Sequence, residues 1–163
     1  MADGVKGRRA GLVDRLSVHR FFFYGTLMDV QVLAAVLRRP VDRRRLRPAV
    51  LAGFRRVLHR SATYPVLIAD PTAEVDGILA SGLTAGDARR LVAYEGPGYR
   101  LATLPVRVAV RGTVSAGVFL PVHDEVASAV PWSFAAWQRQ YRQHFLRQLR
   151  RSRDAPAADR SVL

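Results

Sequence analysis

The stretch Phe21-Phe22-Phe23-Tyr24-Gly25-Thr26-Leu27-Met28-Asp29 limits what this chain can fold into more than any other. Its aromatic side chains follow one another with no polar residue between them. A strand built from them has no face to offer to water. The reading is a central strand over 18–25, buried on both faces and ended by a turn at Gly25. Asp29 then stands where a helix N-cap belongs, ahead of Val30, Leu33, Ala34 and Leu37 at helical spacing. Pro40 should end that helix, with Arg38 and Arg39 in its last turn, where cations complement the dipole.

The rest of the chain reads as strands with few helices between them. A basic loop over 41–48 leads into strand-like runs at Ala49–Leu58, Tyr64–Ala69 and Val75–Leu83, interrupted by Gly53, Pro65 and Gly77 as bends and barrel corners are. Thr84-Ala85-Gly86-Asp87 resembles a capping box with Asp in place of Glu. It predicts a short helix over Asp87–Ala93 that stops before Gly96. Strands over Tyr99–Val110 and Ser115–Val122 follow. A long helix is predicted over 133–150, with Phe134, Trp137, Tyr141, Phe145 and Leu149 as one core-facing stripe. The fold class is α+β: a small mixed sheet or barrel flanked by about three helices. One domain over 18–150 is expected, between a loose basic arm over 1–17 and a disordered tail over 151–163.

Composition narrows the function classes. The 163 residues are 49% hydrophobic, enough for one domain with a real core. No run approaches the ~18 apolar residues of a membrane span, and the N-terminus lacks the apolar segment of a secretory signal. Cytoplasmic location is the expectation, with no membrane partner. The absence of cysteine removes disulfides and thiolate chemistry. A net charge of +13 invites nucleic acid as a partner. Yet Lys6 is the one lysine among the 26 basic residues, which reads as compositional bias, and no recognised nucleic-acid motif accompanies the arginines. The nucleic-acid reading stays a rival and is not favoured.

Two places could hold chemistry. His19, His59, His123 and His144 show no metal-ligand spacing, and no serine lies in a nucleophile elbow, so neither a metal nor a cofactor is expected. The first place is Tyr24-Gly25-Thr26-Leu27. A strand end, a glycine turn and a helix start present backbone N–H groups and suit a carboxylate. The same tetrapeptide also reads as a plain turn that needs Gly for its backbone angles. The second place is Glu95, a carboxylate at a helix C-terminus among apolar neighbours. Both features push its pKa toward the range of a general base near neutral pH. It reads equally as a solvated Glu in a Gly/Pro loop.

Taken together, FFFYGTLMD, YPVLIAD, VDGILASGL and LVAYEGPGYR resemble the gamma-glutamylcyclotransferase-like superfamily, and within it the gamma-glutamylamine cyclotransferase and avirulence-induced-gene branch. The resemblance covers about residues 18–122. It implies a small β-barrel-like fold with a central cavity. It also implies cyclisation of a small-molecule gamma-glutamyl compound to 5-oxoproline with neither metal nor cofactor. By the same resemblance Tyr24, Gly25, Thr26 and Leu27 match the substrate-binding loop, Glu95 the catalytic acid/base, and Tyr99 the aromatic residue after the Glu-Gly turn. Val92 departs from the pattern, standing where many members carry Asp. A non-catalytic ligand-binding member of the same fold, or another acyl transfer or hydrolysis on a gamma-glutamyl-like amide, are the remaining readings.

Overall fold

The computed structural model describes residues 19–154. In chain order these form β1 (Arg20–Phe23), α1 (Val30–Leu37), β2 (Leu46–His59), β3 (Pro65–Ser81), α2 (Ala85–Glu95), β4 (Tyr99–Val108), β5 (Gly112–Pro121), β6 (Ala127–Pro131), α3 (Phe134–Gln140) and α4 (Arg142–Asp154). Short 3₁₀ turns occupy Thr26–Met28, Arg43–Arg45 and Asp124–Val126. The expected arm over 1–17 lies outside the described residues, as does the chain from 155 onward.

The strands run in the order β3-β1-β5-β4-β2-β6, and β2 also pairs with β3. That second pairing closes five strands into a mixed barrel, with β6 added at the end of β2. β1 is parallel to β5 and antiparallel to β3; the other pairings are antiparallel.

β1 is buried on both faces, as its sequence demands. Phe21 and Phe23 share a cluster with Leu33, Leu37 and Leu91 of the helices and with Phe119 of β5. Phe22 and Tyr24 point the other way, into a cluster with Leu51, Leu67, Val106 and Val118. Each such side chain removed from water stabilises the fold by roughly 1.5–3 kcal/mol. Rings on both faces need room on both neighbouring strands, and glycine supplies it. A Cβ on Gly77 of β3 would lie 2.6 Å from the Phe22 ring, and one on Gly117 of β5 would lie 3.1 Å from the Phe21 ring.

Local capping signals act as read. The Asp29 carboxylate accepts from the N–H groups of Gln31 and Val32, and Thr84 and Asp87 form a reciprocal capping box. Other expectations change. The runs expected at Tyr64–Ala69 and Val75–Leu83 fall in one strand, β3 (Pro65–Ser81), because both halves pair with β2, and residues 70–73, which have no β2 partner, bridge the register shift between them. Gly53, at φ +84, marks the bulge where the β2–β3 register shifts. α1 ends at Leu37, with Arg38 in the left-handed region at φ 56, so neither Arg38 nor Arg39 lies in its last turn. Arg39 instead turns to Asp87, with Nη2 donating to Oδ2 at 2.6 Å. α2 is longer than predicted and runs through Glu95.

The long C-terminal helix is two helices, broken at Tyr141 (φ −121), so among the described residues four helices flank the sheet. Tyr141 leaves the predicted stripe and is 43% exposed; Trp137 and Leu146 are the buried residues of these helices, with Phe134, Phe145 and Leu149 half-buried around them. α4 continues to Asp154, past Arg151, where the tail was expected to begin.

Candidate active site

β1 ends at Phe23 and delivers the chain to Tyr24. The Tyr24 hydroxyl donates to the Phe119 carbonyl at 2.6 Å, and its own carbonyl accepts from Arg56 Nη1 at 3.0 Å. These bonds fix both the side chain and the backbone where the turn begins. Arg56 is held in place by Asp76, whose carbonyl accepts at 3.0 Å and whose carboxylate accepts at 3.2 Å, and by the face of Trp132 at 5.3 Å.

The turn itself is a 3₁₀ turn. Gly25 and Thr26 carbonyls accept from Met28 and Asp29 N–H groups, while the N–H groups of Thr26 and Leu27 belong to its first turn, which no carbonyl within the turn can reach. Gly25 is not needed for its angles: its φ is −125. Space is the constraint, because a Cβ there would stand 3.0 Å from Pro65 Cγ.

Glu95 is the last residue of α2, with Gly96 at φ 71 turning the chain away. Its side chain is half-buried and faces a cavity of about 380 Å³. Tyr24, Gly25, Thr26, Leu27, Glu95 and Tyr99 all line that cavity. The fold thus brings together every residue singled out in the sequence.

Loss of hydration pushes the Glu95 carboxyl up to about 8. No cation among the described residues counters that push. Its charge in turn helps to hold the hydroxyls of Tyr24, Tyr64, Tyr94 and Tyr99 protonated, after burial, which is the larger cause for each. The centre is therefore one carboxyl group ringed by neutral phenols.

Two of those phenols were not singled out in the sequence. Tyr94 hydroxyl and Thr26 Oγ1 are 3.3 Å apart and tie α2 to the turn. Its position next to Glu95 was the available signal. Tyr64 lies at the start of the YPVLIAD stretch and reaches the cavity beside Pro65, whose carbonyl accepts a long bond of 3.5 Å from Tyr99. Phe145, Gln148 and Leu149 of α4 complete the wall, and nothing local in the sequence links them to a turn more than a hundred positions away. Among the described residues no three His, Cys, Asp or Glu side chains gather as a metal site would need, and no helix is long and apolar enough to cross a membrane.

Residues 21–139 match the family described as Gamma-glutamyl cyclotransferase, AIG2-like. The chain belongs to that family. The superfamily read from the sequence is therefore the right one, and the match extends past Val122 through β6 and most of α3. Among relatives of this family, AIG2-like protein A of Arabidopsis thaliana is 28% identical over 138 residues, covering 82% of this chain and 80% of the relative. Protein AIG2 C of the same plant is 25% identical over 135 residues, with the same coverage. The solved structures agree on the fold. A solution structure from Arabidopsis thaliana superimposes with a TM-score of 0.62 at 23% identity, covering 88% of this chain and 90% of that one. A structure of gamma-glutamyl cyclotransferase superimposes with a TM-score of 0.56 at 14% identity, covering 80% and 85%. The barrel with its flanking helices is thus the gamma-glutamyl cyclotransferase-like fold.

Proposed function

We propose that this protein is a gamma-glutamyl cyclotransferase that converts a gamma-glutamyl amine or amino acid to 5-oxoproline and free amine, with Glu95 as the acid/base. The observation that supports this most is a lone carboxyl group, raised to about 8, on the same cavity as an N–H-bearing turn. The turn over Gly25–Leu27 holds the α-carboxylate of the glutamyl group. Tyr24 fixes the turn through its bond to Phe119, and Tyr94 does so through Thr26. Tyr99 closes the side of the cavity near Pro65.

Glu95 then faces the α-ammonium. The positive charge of the bound substrate favours the carboxylate form, which takes a proton from the ammonium. The freed amine attacks the gamma-glutamyl carbonyl carbon of the same molecule. A carbon–nitrogen bond to the ring nitrogen forms, Glu95 passes its proton to the leaving nitrogen as the bond to that nitrogen breaks, and the ring nitrogen gives its second proton, by way of Glu95, to the departing amine, which leaves as an ammonium. Nothing is oxidised or reduced. Nucleophile and electrophile share one molecule, so holding it folded can supply on the order of 7–11 kcal/mol at best. General acid–base help typically contributes ~10²–10⁴-fold.

The test is a panel of gamma-glutamyl amino acids, gamma-glutamylamines and glutathione, assayed for 5-oxoproline. At least one should be cyclised, with kcat/KM rising as pH passes through about 8, where free Glu95 loses its proton. Saturable binding of such compounds with no 5-oxoproline would make the protein a ligand binder and overturn the proposal.

A further inference from the structure

The turn at the cavity has an arginine beneath it. Arg56 comes from β2, and its side chain is 14% exposed. Its Nη1 donates to the Tyr24 carbonyl at 3.0 Å and lies 3.8 Å from Met28 Sδ. One nitrogen thus touches the residue before Gly25 and the last residue of the 3₁₀ turn. The Asp76 carbonyl and carboxylate hold the same guanidinium, and the centre of the Trp132 ring lies 5.3 Å from its carbon. Trp132 is itself anchored, with Nε1 donating to the Thr63 carbonyl at 2.8 Å.

A cation in this place is costly. Loss of hydration pushes the Arg56 guanidinium down from its ordinary pKa, and Asp76 draws it only partly back. The group stays charged all the same. The Asp76 side chain is 79% exposed, so water screens that pair and leaves much of the positive charge uncancelled. The turn above it is short of acceptors. The N–H groups of Gly25, Thr26 and Leu27 have no backbone acceptor among the described residues, although Thr26 and Leu27 are buried. The Tyr24–Gly25 peptide is trans, so its N–H points away from the guanidinium that binds its carbonyl. A cation at the carbonyl end makes that N–H a stronger donor. No Arg, Lys or His among the described residues lines the cavity, so any positive charge that an anion in it meets acts from behind the wall.

Resting on the cyclotransferase reading above, we propose that Arg56 is the positioning residue for the substrate's α-carboxylate. It braces the turn through the Tyr24 carbonyl and Met28, and it supplies through the Tyr24–Gly25 peptide the positive charge that the cavity wall lacks. The site then selects compounds whose glutamyl α-carboxylate is free and charged.

The experiment takes the member of the panel above that is cyclised fastest and its twin with an α-carboxamide in place of the α-carboxylate, and follows release of the amine they share. The unaltered protein should favour the carboxylate by at least about a hundredfold in kcat/KM. Arg56→Met fills similar space without charge and should shrink that preference by about tenfold, through a higher KM for the carboxylate alone. Arg56→Lys keeps the charge and should restore most of it. The less basic amine of the carboxamide affects every variant alike and cancels in the comparison. Incomplete folding cancels too, because both substrates meet the same active fraction. A purely structural role would slow both substrates equally. A preference unchanged in Arg56→Met therefore overturns the proposal and leaves the cyclotransferase reading standing. So does a shift, in that variant, of the rise in kcat/KM at about pH 8, since Arg56 would then act on Glu95. If neither Arg56 variant folds, Asp76→Asn decides. It keeps the bonds from Arg56 to the Tyr24 and Asp76 carbonyls, and the preference should rise by about two- to threefold as the guanidinium loses its counter-charge. A preference that stays or falls there overturns the proposal. No cyclisation of any compound in the panel removes the cyclotransferase reading and this proposal with it.

Discussion

Glu95 ends a helix, faces a cavity and has no cation beside it, and burial raises it to about 8 against an ordinary value of 4.5. Because the folded value lies above the unfolded one, the native state binds more protons than the unfolded state between those two pH values. Stability therefore falls as pH rises from about 4.5 to about 8 and levels off above. Glu95→Gln carries no charge at either end. Across that window the wild-type protein should lose on the order of 1–3 kcal/mol relative to the variant, a figure kept low because the cavity admits water. Urea denaturation of both proteins at intervals from about pH 4.5 to about pH 9 measures it. Stability curves that stay parallel would mean that the carboxyl is well solvated. At Gly25 the residue scale gives a different lesson. Its sequence suggested a special backbone angle, while the structure shows φ −125 and a crowded approach to Pro65. The identity of the residue was legible, and the reason was not, since Pro65 is distant in the chain.

Asp29 is the joint between elements. It caps α1 through Gln31 and Val32 and receives Arg142 and Gln138 from the two C-terminal helices. Burial alone would raise its pKa; the bonds from Arg142, Gln138 and the Val32 N–H more than offset this and hold it below 3.8. A depressed folded value means that the stabilisation is present above about pH 3.8 and is lost as pH falls through the folded value. Asp29→Ala should destabilise the protein at neutral pH by ~2–4 kcal/mol, since it removes a cap worth about 0.5–2 and strands a half-buried arginine. A loss of only the cap's share, measured by urea denaturation, would show that α4 docks without this pair.

The same site shows what a sequence holds at this scale. The cap at Asp29 and the box at Thr84 and Asp87 were legible because each satisfies N–H groups within three residues of itself. The break at Tyr141 was not, because the aromatic spacing runs straight through it. The pairing of Asp29 with Arg142 and of Asp87 with Arg39 was not legible either: they join residues 113 and 48 positions apart, in a chain with many arginines to choose from.

Across the whole molecule, one aromatic strand organises both layers. Its Phe21 and Phe23 face the helices, its Phe22 and Tyr24 face the barrel, and its end becomes the turn at the cavity. That much follows from an apolar run with no solvent face, and the class α+β followed with it. The closure of the barrel by β2 and β3 depends on long-range pairing that periodicity does not encode, and β6 has too few apolar residues to announce itself. The cavity gathers a turn, a helix end and a strand start from residues 24–27, 95 and 99. The central claim is that this gathering is a catalytic one. The most direct measurement takes a gamma-glutamyl compound that the protein cyclises and determines kcat and binding affinity for wild type and Glu95→Gln side by side. The account predicts kcat lower by ~10²–10⁴ with affinity nearly unchanged, because the variant keeps the shape of the site but cannot move a proton. A Glu95→Gln protein that releases 5-oxoproline at the wild-type rate would contradict it.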